Sequence, residues 1–365
     1  MKAVGVFPQR REVCLVEHGE PQITAPDEVK VRIIEVGVCG TDRELCAFHF
    51  GTPPPGFDYF VLGHESLGEV VETGAAVETL KPGDLAFISV RRPCAHQDCA
   101  PCRSGRPDFC ATGGYAEHGI KDLHGFMTSF VVDSEQYVRR VPQRLRDVGV
   151  LVEPLTIAEK AFIQVAAIQR RPPFGNRQPR AAVLGAGPIG LLGAMLLANA
   201  HFETHIYSRS PASSLQASIA KEFGAQYISS AAEPVEAVRE RIGEVDLIYE
   251  AMGAPQTAFE AMELLGANGV FVFTGVPGPD VEVKPDAHRI LLNMNLKNQV
   301  VLGTINAGPD ACSAAIHDID VLYGRWPEAL ASMITGRYPI EAFREAISGG
   351  DCIIKNVVTL EQGRR

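Results

Sequence analysis

The sequence predicts an α/β fold in which a mostly-β domain precedes a doubly wound parallel sheet. Three observations support this prediction: a length of 365 residues, a strand-and-turn pattern before residue 150, and a regular strand–helix alternation after it. A chain of this length fits about two domains. Its 46% hydrophobic and 21% charged residues are ordinary for a globular protein with a large core.

The first part of the chain has the pattern of half-buried strands. Apolar and polar residues partly alternate, and glycine and proline turns separate the segments, which predicts strands at 29–36, 68–73, 83–90 and 126–132. Helical periodicity is scarce in this part. We therefore expect a β domain that carries long functional loops.

The second part alternates short apolar strands with helices. An apolar helix at 157–168 and a connection at 169–180 lead into it. We predict strands at 181–184, 205–208, 246–250 and 270–273, and helices at 189–200, 214–223 and 257–265. Apolar strands alternating with helices indicate a parallel sheet covered on both faces. A final strand at 353–360 is expected to return to the first domain, so that the predicted segments are 1–176, 177–306 and 307–365.

Composition excludes several classes of function. The 34 Lys and Arg residues against 44 Asp and Glu residues give a net charge of −10, which argues against nucleic-acid or anionic-membrane partners. Nine cysteines are too few for a disulfide scaffold, and their odd number, with no apolar leader at the N terminus, predicts a reducing cytoplasm. The uncharged stretch 181–200 has the length of a membrane span. Its glycines and proline favour a buried strand, a turn and a helix instead.

A glycine-rich turn follows the strand at 181–184. It reads Gly185-Ala-Gly187-Pro-Ile-Gly190 and opens the predicted helix at 189–200. In a dinucleotide site of the Rossmann type, the first glycine permits a tight turn, the second lets the backbone approach a pyrophosphate, and the third lets helix and strand pack closely. The helix N-terminus supplies free N–H groups to the phosphates. We predict a nicotinamide dinucleotide here.

The end of the next strand favours NADP over NAD. NAD-specific sites place an Asp or Glu there to bind the ribose 2′-hydroxyl. This chain has Tyr207, Ser208, Arg209 and Ser210, with no carboxylate. Arg209 is suited to pair with a 2′-phosphate, and Ser208 or Ser210 to donate to it. Whether the chain also uses NAD would depend on Arg209.

Four cysteines stand close together at 94, 99, 102 and 110. Four thiolates form a closed tetrahedral zinc site, which has a structural role. His96 is separated from Cys99 by two residues, so that His96 with Cys99, Cys102 and Cys110 is an alternative ligand set to the one that begins with Cys94.

A second metal site is dispersed along the first domain. Cys39 and Thr41 follow a strand, His64 and Glu65 precede another, and Glu153 ends the domain. No spacing among them forms a motif by itself. A nicotinamide domain needs a group that polarises the substrate hydroxyl, and an open three-ligand zinc has this property.

These features together resemble the zinc-dependent medium-chain alcohol dehydrogenases over essentially the whole chain. The shared features are CGTD, GHE, the four-cysteine lobe and GAGPIG. Longer strings resemble the glucose dehydrogenase branch, namely CGTDRE (39–44), RRPC with CRSGRPDFC (91–110), EHGIKDLHGFM (117–127), LVEPLTIAEKAF (151–162) and GTINA (303–307). The resemblance implies a GroES-like catalytic domain with a Rossmann domain. It also implies oxidation of an aldose at C1 to its aldonolactone with NAD(P)+.

The resemblance also implies roles for single residues. Cys39, His64 and Glu65 would bind catalytic zinc, Glu153 would be a fourth, exchangeable ligand or a substrate contact, and Thr41 would relay the substrate proton. Further implied contacts are Glu117 and Asn306 to sugar hydroxyls, and Pro188, Ile189, Thr274, Gly275 and Val276 to the cofactor. With the four-cysteine site, two zinc ions per chain are expected, in a homo-oligomer of two or four chains.

Successive residues of a strand point to opposite faces. Both His64 and Glu65 can therefore bind one zinc only where the backbone is irregular. The alternative is that Glu153 binds zinc directly and Glu65 contacts a zinc ligand without binding the metal.

The chain departs from the family pattern in three places. The first two lobe cysteines are separated by four residues, where two are usual. Ile157 stands where some relatives carry an acidic sugar contact. The histidine that ends the proton relay in many alcohol dehydrogenases has no counterpart near Cys39, where Glu44 and Cys46 stand. A polyol or alcohol dehydrogenase of the same fold, and a non-catalytic NADPH sensor, are the alternative functions.

Overall fold

The structure is a computed structural model that describes residues 1–171, 178–278, 282–350 and 353–360. Its elements confirm the predicted α/β class. In chain order, the strands are β1 (Lys2–Phe7), β2 (Glu12–Glu17), β3 (Glu28–Val38), β4 (Phe60–Val61), β5 (Glu65–Thr73), β6 (Leu85–Ile88), β7 (Arg91–Arg92), β8 (Ala116–His118), β9 (Asp122–Leu123), β10 (Phe130–Ser134), β11 (Val138–Val141), β12 (Arg180–Leu184), β13 (Glu203–Ser208), β14 (Gln226–Ser229), β15 (Val245–Glu250), β16 (Leu265–Phe273), β17 (Val300–Gly303), β18 (Ile334–Pro339) and β19 (Lys355–Thr359). The helices are α1 (Gly40–Cys46), α2 (Ala100–Arg103), α3 (Val152–Ile168), α4 (Pro188–Asn199), α5 (Leu215–Glu222), α6 (Val235–Ile242), α7 (Pro255–Ala261), α8 (Ala287–Leu296), α9 (Pro309–Arg325), α10 (Pro327–Ser332) and α11 (Phe343–Ser348).

Residue packing divides the chain into two compact units. The first contains residues 1–153, 307–320 and 334–365, and the second contains residues 154–306 and 321–333. These units differ from the predicted segments 1–176, 177–306 and 307–365. Part of the predicted connection, residues 172–177, lies outside the described residues.

Side-chain contacts explain why the boundaries differ. Lys160 on α3 donates to the carbonyl of Ile305 at 2.8 Å, which places this helix with the second unit. The ring of Trp326 packs 5.9 Å from that of Phe223, which places residues 321–333 there as well. Helix periodicity in the sequence identifies an apolar face but does not identify the element that covers it.

The first unit is built around β3. Its main sheet has the order β11-β6-β5-β3-β19-β18, and β10 also pairs with β3. The first half of β3 pairs with β10, and its last four residues pair with β19. Two smaller sheets have the orders β2-β1-β4 and β7-β8-β9. The predicted return of the last strand to the first domain is therefore observed.

The second unit contains a six-stranded parallel sheet. Its order is β14-β13-β12-β15-β16-β17, the arrangement of a doubly wound dinucleotide-binding domain. The sheet core includes Ala182, Ile248 and Phe271, each at most 3% exposed. In such sheets, ligands bind at the carboxyl ends of the strands.

Several predicted bounds shift. The strand expected at 126–132 begins at Phe130, because the backbone at 126 and 127 bonds instead to residues 62 and 63. The helix expected at 257–265 ends at Ala261, since Leu265 begins β16 and pairs with Val245. The sequence analysis did not predict the short strand β14. Among the described residues, no helix is long and apolar enough to cross a membrane.

Candidate functional site

The segment CGTD forms the start of α1. The Cys39 sulfur accepts a hydrogen bond from the Thr41 backbone N–H at 3.2 Å, and the Asp42 carboxylate accepts one from the Cys39 N–H at 2.8 Å. The second bond and a bond from the Asp42 backbone N–H to the Cys39 side chain form a capping box, in which cysteine and aspartate replace the usual hydroxyl residue and glutamate. The capping box fixes Cys39 and places Asp42 in the interior, where it is fully buried.

His64 lies between Cys39 and Asp42. Its Nε2 is 3.0 Å from the Cys39 sulfur, and its Nδ1 is 3.4 Å from Asp42 Oδ1. Burial disfavours the charged ring, but Cys39 and Asp42 outweigh this effect and hold the pKa of His64 well above its usual value. Metal-binding histidines commonly have such a carboxylate behind the ring. The sequence analysis quoted Asp42 in CGTD without giving it this role.

Glu65 joins the same cluster because the backbone before it is irregular. Gly63 has a φ of 94°, and β5 begins only at Glu65. One ligand atom from each of Cys39, His64 and Glu65 lies within 4.8 Å of the others. Both neighbouring side chains therefore face one point. Glu153 is buried but is not in this group.

A buried lysine binds the Glu65 carboxylate. Lys355 Nζ on β19 lies 2.7 and 2.5 Å from the two Glu65 oxygens and donates to the Val38 carbonyl at 3.1 Å. Lys355 is fully buried and Glu65 is 2% exposed. The sequence analysis missed Lys355, and no local signal marks it.

The cluster fits a zinc ion of the catalytic type. A thiolate, an imidazole and a carboxylate are ligands that zinc takes at open, three-ligand sites. Burial, with Glu65 and Asp42 nearby, raises the pKa of Glu153 to about 7, although His64 and Lys355 oppose the shift. Together with its surroundings, the cluster contains more acidic side chains than basic ones. This excess of acidic groups favours the binding of a divalent cation.

The four cysteine sulfurs of the lobe also converge. Cys94, Cys99, Cys102 and Cys110 each bring one sulfur within 4.8 Å of the others, and Cys99 Sγ is 3.9 Å from Cys110 Sγ. Zinc–sulfur bonds of about 2.3 Å imply tetrahedron edges of about 3.8 Å. His96 is exposed and outside this group, so the geometry favours the ligand set with Cys94.

The electrostatics of the lobe also fit a metal. Backbone N–H groups of Cys102 and Ala111 lower the pKa of Cys99. Burial, together with the Cys110 and Cys99 sulfurs, raises the pKa of Cys102 to about 12. Four thiolates this close together would repel one another, and a zinc ion among them would relieve that repulsion.

The two predicted sugar contacts lie in different units. Glu117 is buried on β8, with Arg91 Nε and Nη2 at 3.0 and 2.9 Å from its Oε1. Asn306 follows Ile305, whose carbonyl Lys160 holds, and has a φ of 62°.

The glycine turn has the expected geometry. Gly185 has a φ of 108°, and a Cβ on Gly190 would lie 2.2 Å from the Gly185 carbonyl oxygen. A Cβ on Gly187 would meet no atom within 4 Å, so the space above the start of α4 is open. Pro188 and Ile189 form the first turn of that helix and are half-buried.

The predicted 2′-phosphate contacts lie at the carboxyl end of β13. Ser208 is the last residue of that strand and is half-buried, and Arg209 is exposed. The Ser210 carbonyl accepts a hydrogen bond from the Tyr227 hydroxyl at 3.1 Å, which holds the backbone after Arg209.

Glu250 anchors the loop that contains the predicted cofactor contacts at residues 274–276. It is 1% exposed at the end of β15, and its carboxylate accepts from the backbone N–H groups of Met252, Gly253 and Gly275. Its carbonyl accepts from the Thr274 hydroxyl at 2.6 Å. The sequence analysis predicted Thr274, Gly275 and the exposed Val276 but missed the buried glutamate that holds them.

Comparisons with known proteins agree along the whole chain. Residues 146–360 match the family model described as the glucose dehydrogenase C-terminus, and residues 25–143 match the alcohol dehydrogenase GroES-like domain. Glucose 1-dehydrogenase of Methanocella arvoryzae is 35% identical over 360 residues, 99% of each chain. That of Thermoproteus tenax is 38% identical over 353 residues, 95% of each chain. The chain belongs to the glucose dehydrogenase family.

A solved structure within this family is similar throughout. Haloferax mediterranei glucose dehydrogenase in complex with NADP, Zn and gluconolactone covers 100% of both chains with a TM-score of 0.89 at 32% identity. The resemblance to zinc-dependent medium-chain dehydrogenases is therefore confirmed, as is the pairing of a GroES-like domain with a parallel-sheet domain.

The lobe geometry predicts which residue is the first zinc ligand. Cys94→Ser should lower the zinc content by about one ion per chain, because one thiolate of a closed site is lost. His96→Ala should leave the zinc content unchanged. Atomic absorption on both purified variants, with Cys14→Ser as a control thiol, makes the measurement. Zinc loss in His96→Ala alone would identify the alternative ligand set.

The buried Lys355–Glu65 pair predicts a large loss of stability when one partner is removed. In chelator-treated protein, where no zinc neutralises Glu65, Lys355→Met should lower the free energy of unfolding by about 3–5 kcal/mol, because a buried carboxylate is left unpaired. Adding Glu65→Gln should restore part of this loss. Urea unfolding measures both effects.

The matched control is an exposed pair at the same distance. Lys2 Nζ also lies 2.7 Å from its partner, Glu341, but both side chains are more than half exposed. Lys2→Met should therefore change the stability little. Equal losses for the Lys2 and Lys355 variants would contradict the role given to burial.

Proposed function

We propose that this chain is a zinc-dependent glucose 1-dehydrogenase. It oxidises glucose, or an aldose closely similar to it, at C1 to the lactone and transfers hydride to NADP+. The observation that carries this proposal is the buried cluster of Cys39, His64 and Glu65 in a chain that also holds a dinucleotide turn. The relatives named glucose 1-dehydrogenase, and the Haloferax complex with NADP, Zn and gluconolactone, support it.

The first unit provides the acid–base chemistry. Zinc held by Cys39, His64 and Glu65 would supply Lewis-acid chemistry that makes the sugar C1 hydroxyl more acidic. The Thr41 hydroxyl accepts the departing proton and passes its own onward. Asp42 fixes the ring orientation of His64.

Polar side chains provide sugar selection. The Glu117 carboxylate and the Asn306 amide bind hydroxyl groups of the sugar, with Glu153 as a further contact or an exchangeable ligand. Sites that aim polar groups at substrate hydroxyls discriminate strongly against analogues that lack them. This selection favours an aldose over a simple alcohol.

The second unit binds the cofactor. NADP+ held by this unit would supply the nicotinamide chemistry of hydride acceptance. The free N–H groups at the start of α4 bind the pyrophosphate next to Gly187, and Ser208 and Arg209 bind the 2′-phosphate. Pro188, Ile189, Thr274, Gly275 and Val276 line the rest of the cofactor site.

We further propose a cytoplasmic homo-oligomer of two or four chains. Among the described strands, β17 pairs with β16 alone and leaves one sheet edge open. Leu291, Leu292 and Leu296 of the adjacent α8 are 46% to 74% exposed. An open edge beside exposed leucines is typical of an interface, and the mass in solution by light scattering tests this.

The reaction is tested with a substrate panel on one preparation. We expect NADPH formation from glucose and related aldoses, with polyols and simple alcohols much slower, and about two zinc ions per chain. Faster rates with polyols would identify a polyol dehydrogenase. No turnover, with about one zinc per chain, would favour the non-catalytic sensor.

Arg209 predicts the preference for NADP. Arg209→Ala should raise the KM for NADP+ about tenfold, because a charge-assisted hydrogen bond to the 2′-phosphate is lost. The KM for NAD+ and the KM for glucose in the same variant are the controls and should not change. An unchanged KM for NADP+ would remove Arg209 from the cofactor site.

A further inference from the structure

Two of the family strings meet in a buried ion pair. Arg91 on β7 and Glu117 on β8 are register partners in an antiparallel pair of short strands. Arg91 Nε and Nη2 lie 3.0 and 2.9 Å from Glu117 Oε1. Arg91 is 8% exposed and Glu117 is 7% exposed. Two donors of one guanidinium therefore fix the same carboxylate oxygen.

The Arg91 guanidinium is itself held from two further sides. It stacks 3.5 Å from the ring centroid of Tyr115. Its Nη1 lies 3.5 Å from the Pro107 carbonyl oxygen. Pro107 stands in the four-cysteine lobe, between Cys102 and Cys110. The lobe thus contributes to the orientation of the side chain that contacts Glu117.

The turn that follows β8 packs against the candidate active site. A Cβ on Gly119 would lie 2.4 Å from the Gly63 carbonyl oxygen, so the two backbones touch. Gly63 immediately precedes His64, and Glu117 stands two residues before Gly119. The backbone that carries Glu117 is therefore fixed against the backbone that carries a predicted zinc ligand.

Burial of a carboxylate without a partner is costly because the group is desolvated. Arginine suits the role of partner because two donors of one rigid plane reach the carboxylate together, which the single ammonium group of lysine does not do. A carboxylate held in one place is a strong acceptor for a sugar hydroxyl.

We propose that Arg91 is a positioning residue for the sugar, which holds the Glu117 carboxylate in one place and orients it toward a substrate hydroxyl. This inference rests on the proposed function, in which Glu117 contacts the sugar. Arg91 acts through Glu117, and the four-cysteine lobe supports Arg91 through Pro107. Sugar affinity, rather than cofactor affinity, is the property that Arg91 controls.

Kinetics of Arg91→Met test this role. We expect the KM for glucose to rise about tenfold or more, because a charge-assisted interaction is lost. The fall in kcat should be smaller, and the KM for NADP+ should not change. Arg91→Lys should restore part of the glucose affinity. An unchanged KM for glucose in Arg91→Met overturns the proposal.

A control variant and a double variant separate positioning from folding. Arg106 forms its own ion pair with Asp108 in the same lobe, so Arg106→Met should leave the KM for glucose unchanged. In a Glu117→Gln background, Arg91→Met should add little further effect, because its target is gone. Equal effects in both backgrounds would show that Arg91 does not act through Glu117.

Stability measurements and the wild-type chain complete the test. Thermal unfolding and zinc content are measured on every variant, and Arg91→Lys, which keeps the charge, carries the test if Arg91→Met does not fold. If the wild-type chain oxidises glucose and Glu117→Gln leaves the KM for glucose unchanged, this inference is overturned and the proposed reaction stands. Absence of glucose turnover by the wild type would instead overturn the proposed function.

Discussion

The buried ion pair between Glu65 and Lys355 is the constraint on which the first unit depends. These residues are 290 positions apart. They meet because β19 pairs with the end of β3, and the same end of β3 pairs with β5. A Cβ on Gly37 would lie 2.0 Å from a Glu65 oxygen, so only glycine lets the Glu65 side chain cross β3. The last segment of the chain, through Lys355, therefore supports a residue of the candidate zinc cluster.

Charge balance connects this ion pair to the proposed chemistry. Cys39, Asp42, Glu65 and Glu153 bring acidic groups to one buried region, and Lys355 provides a neighbouring cation. One lysine leaves an excess of acidic groups, and burial of such an excess is unfavourable. A divalent cation relieves it. The excess of acidic groups that is unfavourable on burial is thus the feature that favours metal binding.

The second unit uses a buried carboxylate in a different way. Glu250 accepts three backbone N–H groups and so joins the loops that follow β15 and β16. Neutral backbone N–H groups stabilise the Glu250 carboxylate, whereas the Lys355 ammonium group stabilises the Glu65 carboxylate. In both units, a buried acid at a strand end fixes the backbone of a predicted site, so that loops carrying function have rigid supports.

Local spacing made part of this protein predictable from the sequence. The glycine turn and the four cysteines stand within short segments, where each residue type has one strong physical reason to be present. The strand–helix alternation likewise determined the parallel sheet. The partners of Glu65 and Glu117, and the packing of α3 with the second unit, were decided by tertiary structure alone. Lys355 has no local sequence signal, and the string that contains Arg91 does not indicate its partner, because a buried cation is recognised only by the distant carboxylate that the fold brings to it.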